Sequence, residues 1–313
     1  MAKQILGAIL GATGSGKTEF AVLLAQKLNA EIICMDSRQV YENFKIGTAQ
    51  PSAEHLKAVK HHLVNFLPPE KQYNAAEFAA STKRLLEQNP NAKFLIVGGT
   101  GLYLQALCLG LSPLPQPDPE LREKLKERYI DKPNELYKDA LKASPGIEGK
   151  IMPRDTQRLL RTLELAGMGH GKSENEISGK SEIRGSGNRV GGIGPVPSVW
   201  LDFPREELYR RINERVVWML KNGWPEEVLE LAKSVPFEAP AWQSLGYADL
   251  RQVLGAGKDP MLMAEGIALK SRHYAKRQIT WFKSKEKPIY IDGRSAMSED
   301  CLKKVCRFLH CTQ

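Results

Sequence analysis

The residues that most constrain this chain form a glycine-rich pattern close to its N-terminus. An apolar run, Ile5–Leu10, leads directly into the pattern G-x-x-x-x-G-K-T. In chain order its residues are Gly11, Ala12, Thr13, Gly14, Ser15, Gly16, Lys17 and Thr18. Between a strand and a helix, such a loop turns backbone N–H groups and the positive helix N-terminus toward a phosphate, while the lysine adds a charge and the threonine hydroxyl a ligand for Mg2+. The intact spacing predicts a phosphate-binding loop and leaves the phosphate compound open.

Strand and helix patterns alternate through the first part of the chain. The candidates for strands are Ile5–Leu10, Glu31–Met35, Phe94–Val97, Val199–Leu201 and Ile289–Ile291. Helical patterns lie at about 16–28, 75–88, 101–109, 119–129, 134–143, 155–166, 205–222, 225–234 and 260–283. The alternation predicts an α/β fold, a P-loop kinase-like parallel sheet with flanking helices and a ligand at the carboxyl ends of the strands.

A proline-rich break, residues 112–119, interrupts this alternation. We predict a catalytic core made of residues 1–119 and 199–313, the latter including the C-terminal helices. Residues 120–198 are predicted to form a mainly helical insertion domain. Within it, residues 167–197 are rich in Gly, Ser and charged residues and predict a flexible loop.

The charge balance is basic, with a net charge of +9 at pH 7. This balance suits an acidic partner such as nucleic acid, although a basic surface with no such partner remains an alternative. No apolar run reaches membrane-spanning length and no signal-peptide pattern precedes the loop, so we expect a cytoplasmic protein. Nothing in the chain requires more than a monomer.

Five cysteines, an odd number, occur without a C-x-x-C pair, which suits reduced thiols. Three of them lie near the C-terminus with a histidine, as Cys301, Cys306, His310 and Cys311. This spacing is not that of a standard zinc site, so we interpret the three as free thiols.

The residues after two of the predicted strands narrow the chemistry. Gly98, Gly99 and Thr100 stand where nucleotide-hydrolysing P-loop proteins carry an acidic residue that helps to hold Mg2+, which favours group transfer by a small kinase-like core. An acid instead follows the second strand, at Asp36. Its carboxylate could accept a proton from an attacking nucleophile, or it could cap a turn, and position alone does not separate the two interpretations.

Basic residues recur at helical spacing in two later segments. Arg154, Arg158 and Arg161 share one predicted helix face. Residues 266–288 hold seven Lys or Arg and a single acid, with aromatic residues between them. This combination suits a phosphate backbone and stacked bases, while a solvated charged face remains the alternative.

Together these stretches resemble the tRNA dimethylallyltransferase family, also called the tRNA isopentenyltransferases. The matching stretches are Gly11–Thr18, Asp36–Tyr41, Ile46–Thr48, His61–Leu63, Gly98–Tyr103, Leu111–Pro115, Gln157–Arg161, Leu245–Tyr247 and Lys276–Trp281. They run in family order as far as about residue 292. The departures from the family pattern are Ala12 for a proline, Gln50 for a lysine and Ala248 for a basic residue.

The resemblance implies transfer of a dimethylallyl group from dimethylallyl diphosphate to N6 of adenosine 37, next to the anticodon of tRNA on its 3′ side, with release of diphosphate. The loop would hold the diphosphate, with Lys17 neutralising its charge, Thr18 helping to hold Mg2+, and Arg215 making a second diphosphate contact. By the same resemblance, Asp36 takes the proton of the attacking amine, and Thr100 contacts the target nucleotide near the reacting centre.

The family's contacts with the tRNA anticodon stem-loop map onto a further set of positions, reached once the adenine has left its stack. They are Asp36, Ser37, Arg38, Gln39, Thr100, Arg122, Gln157, Arg158, Leu159, Leu160, Arg161, Ser244, Gly246, Tyr247, Lys276, Arg277, Gln278, Trp281 and Lys283.

Three other functions share part of the pattern. A P-loop kinase for a small metabolite explains the loop but not the basic helices. A non-catalytic RNA-binding module explains the helices but not Lys17, Thr18 and Asp36 as a set. Prenyl transfer to free adenine nucleotides needs no polymer-binding face.

Overall fold

The structure, a computed structural model, describes residues 4–111, 115, 118–168, 190–285 and 287–311. It divides the chain into two compact units, residues 1–110 with 191–313, and residues 111–190. Residues 169–189, most of the predicted 167–197 loop, lie outside the described part. So do residues 112–114, from the predicted proline-rich break.

A six-stranded parallel sheet forms the centre of the first unit, in the order β3-β2-β4-β1-β7-β8. Its strands are β1 (Ile5–Gly11), β2 (Glu31–Met35), β3 (His61–His62), β4 (Phe94–Gly98), β7 (Ser198–Asp202) and β8 (Ile289–Asp292). Two short strands, β5 (Gly110–Leu111) and β6 (Val190–Gly191), pair separately. The central strands β1 and β4 are buried along their whole length, as their continuous apolar sequences require when helices cover both sheet faces. The predicted parallel α/β sheet is confirmed.

Twelve helices surround or follow these strands in the described part of the chain. The first seven are α1 (Lys17–Leu28), α2 (Ala53–Ala58), α3 (Ala75–Gln88), α4 (Gly101–Leu109), α5 (Pro119–Arg128), α6 (Pro133–Ala143) and α7 (Thr156–Gly167). The others are α8 (Arg205–Lys221), α9 (Trp224–Ser234), α10 (Tyr247–Gly255), α11 (Ala264–Lys285) and α12 (Glu299–Cys311). Helices α5 to α7 belong to the second unit.

Two apolar layers cover the two faces of the large sheet. One layer joins the sheet to α1 and α12, through buried residues such as Phe20 and Leu309. The other joins it to α3, α4 and α11, through residues such as Phe78, Leu104 and Phe282. Because β1, β2 and β4 run parallel, the loops at their carboxyl ends meet at one edge of the sheet.

Helices α8 to α11 pack with the segment after β2 into a third apolar cluster, centred on Phe44, Trp224 and Tyr247. The second unit has its own core among α5, α6 and α7, which includes Leu136 and Leu160. None of the described helices combines the length and apolarity that crossing a membrane requires.

Candidate functional site

The glycine-rich loop turns tightly between β1 and α1. Gly14 and Gly16 have φ angles of 85° and 77°, in the left-handed region that favours glycine. Gly16 precedes the first residue of α1, so Lys17 and Thr18 begin the helix whose positive end faces the loop. This local geometry is the one that the spacing predicts.

Three side chains from distant helices hold this loop in place. The Gln278 Oε1 atom accepts a hydrogen bond from the Thr13 N–H at 2.8 Å. The Arg211 Nε atom donates to the Gly14 carbonyl oxygen at 3.0 Å, and an Arg215 Nη2 atom lies 2.5 Å from the Thr13 hydroxyl oxygen. The sequence predicts Arg215 as a diphosphate contact but misses Arg211, whose i, i+4 spacing from Arg215 is the available signal.

Positively charged side chains lie close together around the loop, with few negatively charged side chains beside them. Burial is the main cause that lowers the pKa of Lys17 to about 8. The attraction of Asp36 raises this pKa, and a smaller repulsion from Arg215 lowers it. Burial followed by repulsion from Arg211 lowers the pKa of Arg215 to about 10. Burial is the main cause of both shifts, and an added anion would stabilise the charged forms of both side chains, so the arrangement favours a ligand with several negative charges.

Asp36 occupies the turn directly after β2. Its Oδ1 atom accepts hydrogen bonds from the N–H groups of Arg38, at 2.8 Å, and Gln39, at 3.3 Å. The Oδ2 atom accepts none from the described residues. One oxygen therefore caps the turn while the other remains able to accept a proton, so the two interpretations of Asp36 are compatible.

A cavity of about 670 Å3 opens beside the loop, within the first unit. The predicted site residues along its wall are Thr13, Gly14, Gly16, Lys17, Thr18, Asp36, Ser37, Arg38, Gln39, Arg215, Ser244, Gly246, Arg277 and Gln278. Its wall carries five Lys or Arg side chains against two aspartates, and one of these, Asp249, already binds Lys270 at 2.6 Å. One region of the wall is apolar, with Met219, Trp224 and Ile267. The cavity can thus hold an anion and an apolar group together.

Several predicted site residues of the first unit lie behind this wall. Gly11, Ala12 and Ser15 are buried within the loop. The Thr100 hydroxyl oxygen is buried without a hydrogen-bond partner among the described residues, close to the cavity residue Tyr274, whose pKa burial raises to about 12. Trp281 packs over Gly101, where a Cβ atom would collide with the indole.

The three predicted basic site residues on α11, Lys276, Arg277 and Lys283, are exposed. Gln278, on the same helix, is buried and also donates to the Gly99 carbonyl oxygen at 3.0 Å. The side chain of Gln278 therefore joins the glycine-rich loop to the end of β4, while its charged neighbours face outward.

The segment that follows Asp36 is fixed by hydrogen bonds that the sequence did not predict. The Gln50 Nε2 atom donates to the carbonyl oxygens of Gln39 and Tyr41, at 2.9 and 2.8 Å. The Tyr247 hydroxyl lies 2.6 Å from Glu227 Oε1 and 3.1 Å from the Gly47 nitrogen. Gln50 and the buried Tyr247 thus shape the wall around Ser37, Arg38 and Gln39.

The second unit places its predicted tRNA contacts in two different environments. Leu159 and Leu160 are core residues of this unit, whereas Gln157 and Arg158 are exposed. Arg122 and Arg161 both bind the fully buried Glu164, with nitrogen–oxygen distances of 2.6 and 3.0 Å. The exposed basic side chain of this set is therefore Arg158, which lies 3.3 Å from Asp155.

Replacing Glu164 by glutamine is expected to destabilise the second unit by about 3 kcal/mol, because two partly buried arginines lose their counter-charge. Glu123→Gln, which removes an exposed ion pair with Lys126, is the matched control and is expected to cost less than about 1 kcal/mol. All five tryptophans lie in the first unit, so urea unfolding is best followed by hydrogen exchange of α7 amides rather than by tryptophan fluorescence. Equal exchange in the two variants would contradict the prediction.

In α12, Cys301 and Cys306 form no disulfide with another described cysteine. Among the residues that the structure describes, no three His, Cys, Asp or Glu side chains are grouped to hold a metal ion. The side chain of Cys311 lies outside the described part.

Comparisons with known proteins give one consistent result. A family model described as IPP transferase matches residues 39–285. The tRNA dimethylallyltransferase of Chloroherpeton thalassium is 40% identical over 292 residues, which cover 88% of this chain and 86% of the relative. That of Fusobacterium nucleatum is 38% identical over 278 residues, with 88% of each chain covered.

Solved structures agree with the sequence relatives. The tRNA isopentenylpyrophosphate transferase of Bacillus halodurans superposes with a TM-score of 0.66 at 27% identity, covering 98% of this chain and 96% of that one. A eukaryotic dimethylallyltransferase described as acting on tRNA gives a TM-score of 0.75 at 25% identity, covering 96% and 77% of the two chains.

Proposed function

The chain belongs to the IPP transferase family, and we propose that it transfers a dimethylallyl group from dimethylallyl diphosphate to tRNA. In the finer form of the proposal the acceptor is N6 of adenosine 37 in the anticodon stem-loop, and diphosphate is released. The observation that carries it is the cavity beside the loop, whose wall holds Lys17 and Arg215 next to the positive end of α1. Among its described lining residues, the one carboxylate without an ion pair is Asp36. A diphosphate supplies the negative charge that this wall lacks.

The residues divide the reaction between them. As the adenine amine attacks the allylic carbon, the bond from that carbon to the diphosphate oxygen breaks, and its electron pair leaves with the diphosphate. Lys17 and Arg215 stabilise this growing charge. The amine nitrogen becomes acidic as it forms its new bond, and Asp36 accepts the proton. The apolar wall with Met219, Trp224 and Ile267 suits the dimethylallyl group.

The Thr18 hydroxyl suits a Mg2+ ion whose other ligands come partly from the substrate. Mg2+ binds proteins through one or two oxygen ligands, together with substrate phosphates and water, rather than through an all-protein cage. The Thr18 hydroxyl on the cavity wall fits this pattern. Bound there, Mg2+ would neutralise charge on the diphosphate.

The target adenine would enter beside Ser37, Arg38 and Gln39, which line the cavity next to Asp36. The exposed residues of α11, Lys276, Arg277 and Lys283, would contact the tRNA backbone, and Arg158 would do so from the second unit. We further propose that the protein acts in the cytoplasm as a monomer.

The alternative functions lack this support. The relatives named above are transferases of tRNA, which does not favour a metabolite kinase or a non-catalytic RNA-binding module. Prenyl transfer to free adenine nucleotides would leave the exposed charges of α11 without a substrate to contact.

Incubation with labelled dimethylallyl diphosphate, Mg2+ and either unmodified tRNA or AMP tests the proposal, with ATP plus tRNA in parallel. Label is expected in tRNA, at adenosine 37 after nuclease digestion. Label in AMP but not in tRNA would overturn the tRNA assignment, and no transfer to either would reject prenyl transfer.

Arg277→Ala and Arg158→Ala are each expected to weaken tRNA binding and to flatten its salt dependence by about one unit of the log–log slope, as loss of one phosphate contact does. The dissociation constant would be measured across a series of salt concentrations. Arg294→Ala is a matched control, because Arg294 is an exposed arginine, paired with Asp292 at 2.6 Å, that is not among the predicted tRNA contacts. An unchanged slope in both variants would make these side chains solvated charges only.

Diphosphate affinity is expected to fall as the pH rises through about 8, where free Lys17 loses its proton. Bound diphosphate favours the ammonium form, so binding requires proton uptake above this pH, and affinity falls by at most about tenfold per pH unit. Isothermal titration between pH 7 and 9.5 measures the slope. Lys17→Arg keeps the positive charge and should show a flatter profile. Identical slopes would show that Lys17 does not titrate in this range.

A further inference from the structure

A second, much smaller cavity lies against the phosphate-binding loop. Its volume is about 10 Å3, and it shares Lys17, Thr18, Asp36 and Gln39 with the large cavity. Another part of its wall is His61, the first residue of β3. About 10 Å3 is the lower limit of the space for one water molecule, and this wall offers the polar partners that such a water needs.

The backbone fixes the tautomer of His61. The Nδ1 atom lies 2.8 Å from the Val59 carbonyl oxygen. Because a carbonyl oxygen only accepts, Nδ1 carries the hydrogen, and Nε2 of the neutral ring is an acceptor. Desolvation by burial is the largest effect on the pKa of His61 and lowers it, in favour of the neutral ring.

The Nε2 atom of His61 is buried and has no hydrogen-bond partner among the described residues. A buried acceptor in this state costs free energy that a donor would recover. The function proposed above gives His61 no role, although its neighbours on the cavity wall, Thr18 and Asp36, are assigned to the metal and the proton.

We propose that His61 is a positioning residue that accepts a hydrogen bond from a water molecule of hydrated Mg2+ held at Thr18. Mg2+ keeps several of its waters when bound, and partners of this outer kind commonly contribute 10–100-fold to metal affinity. The inference rests on the proposed function, since it takes diphosphate and Mg2+ as the occupants of the site.

The adjacent residue offers a matched control. His62 also lies in β3, but its Nε2 atom contacts Glu31 and it does not line the small cavity. The two residues are thus both histidines at neighbouring positions of β3, and of the two only His61 lines the small cavity.

Calorimetric titration of Mg2+ into the 313-residue protein with inorganic diphosphate tests the inference. His61→Ala is expected to raise the Mg2+ concentration at half-saturation about tenfold. His62→Gln is expected to change it by less than about twofold. His61→Gln, whose amide oxygen can replace Nε2 as acceptor, should recover part of the affinity and gives the test if the alanine variant does not fold. Circular dichroism checks folding.

A half-saturation concentration in both His61 variants equal to the unsubstituted protein's would overturn the inference. A loss of diphosphate affinity in the His61 variants that is as large in EDTA as in Mg2+ would also overturn it, because His61 would then only support packing. So would a diphosphate affinity of the unsubstituted protein that Mg2+ does not change. Label transfer to tRNA is measured separately. Intact label transfer together with an unaltered Mg2+ response in the His61 variants rejects this inference alone. Absence of label transfer by the unsubstituted protein rejects the proposed function.

Discussion

Asp36→Asn is expected to lower the rate constant for prenyl transfer by about 10²–10⁴-fold, the usual contribution of a general base. The asparagine amide oxygen can still accept the N–H groups of Arg38 and Gln39, so the turn after β2 keeps its cap. The amide cannot take up the proton that the attacking amine releases. Single-turnover transfer of labelled dimethylallyl to unmodified tRNA measures the chemical step, and tRNA affinity is expected to stay nearly unchanged.

Asp36→Ala removes both the proton acceptor and the cap, and so separates the two roles. We expect its transfer rate to be at least as low as that of the asparagine variant, with a lower stability from the lost turn bonds. A near-normal rate in Asp36→Asn beside a slow Asp36→Ala would show that the carboxylate acts as a cap and not as a base.

Arg215→Ala is expected to raise the dissociation constant of inorganic diphosphate about 100-fold. Loss of one partner from a buried, hydrogen-bonded charge pair costs about 2–5 kcal/mol, and 100-fold corresponds to about 2.7 kcal/mol. The same change removes the hydrogen bond to Thr13 that helps to shape the loop. Isothermal titration with diphosphate at pH 7 measures the effect.

Two further observations make this prediction specific. Arg210→Ala is the matched control, because Arg210 lies on the same helix but pairs with the exposed Glu214 at 2.7 Å. Arg215 also lowers the pKa of Lys17, so its removal should shift the pH dependence of diphosphate binding upward. Equal affinities in the two variants would place Arg215 outside the diphosphate site.

The parts of the fold that the sequence predicts are those with strong local patterns. Strands β1, β2 and β4 are apolar runs that stay buried, and the glycine-rich loop has fixed backbone requirements. The two-residue strand β3 has no apolar run and was missed. Helix α12 was also missed, although Leu302, Val305 and Leu309 are spaced for one buried face.

The same distinction holds for the predicted site. Asp36 lies beside the loop because the carboxyl ends of parallel strands meet at one edge of the sheet. The alternation of strands and helices along the sequence is enough to predict this. The basic face predicted from Arg154, Arg158 and Arg161 did not reveal that Arg161 binds the buried Glu164. Helical spacing puts Arg161 and Glu164 at i, i+3 on one helix, but it does not show that Glu164 is fully buried or that Arg122 reaches it from α5.

The sequence by itself determined the glycine-rich loop, the parallel sheet beneath it and the carboxylate at the end of β2, because each follows from local spacing and backbone geometry. Only the tertiary structure decided what holds the loop: Arg211, Arg215 and Gln278 reach it from 197 to 265 residues away along the chain. It also decided that His61 faces the loop while His62 binds Glu31. Such contacts depend on how helices α8 and α11 and the edge strand pack against the sheet, and packing over these separations leaves no period in the sequence.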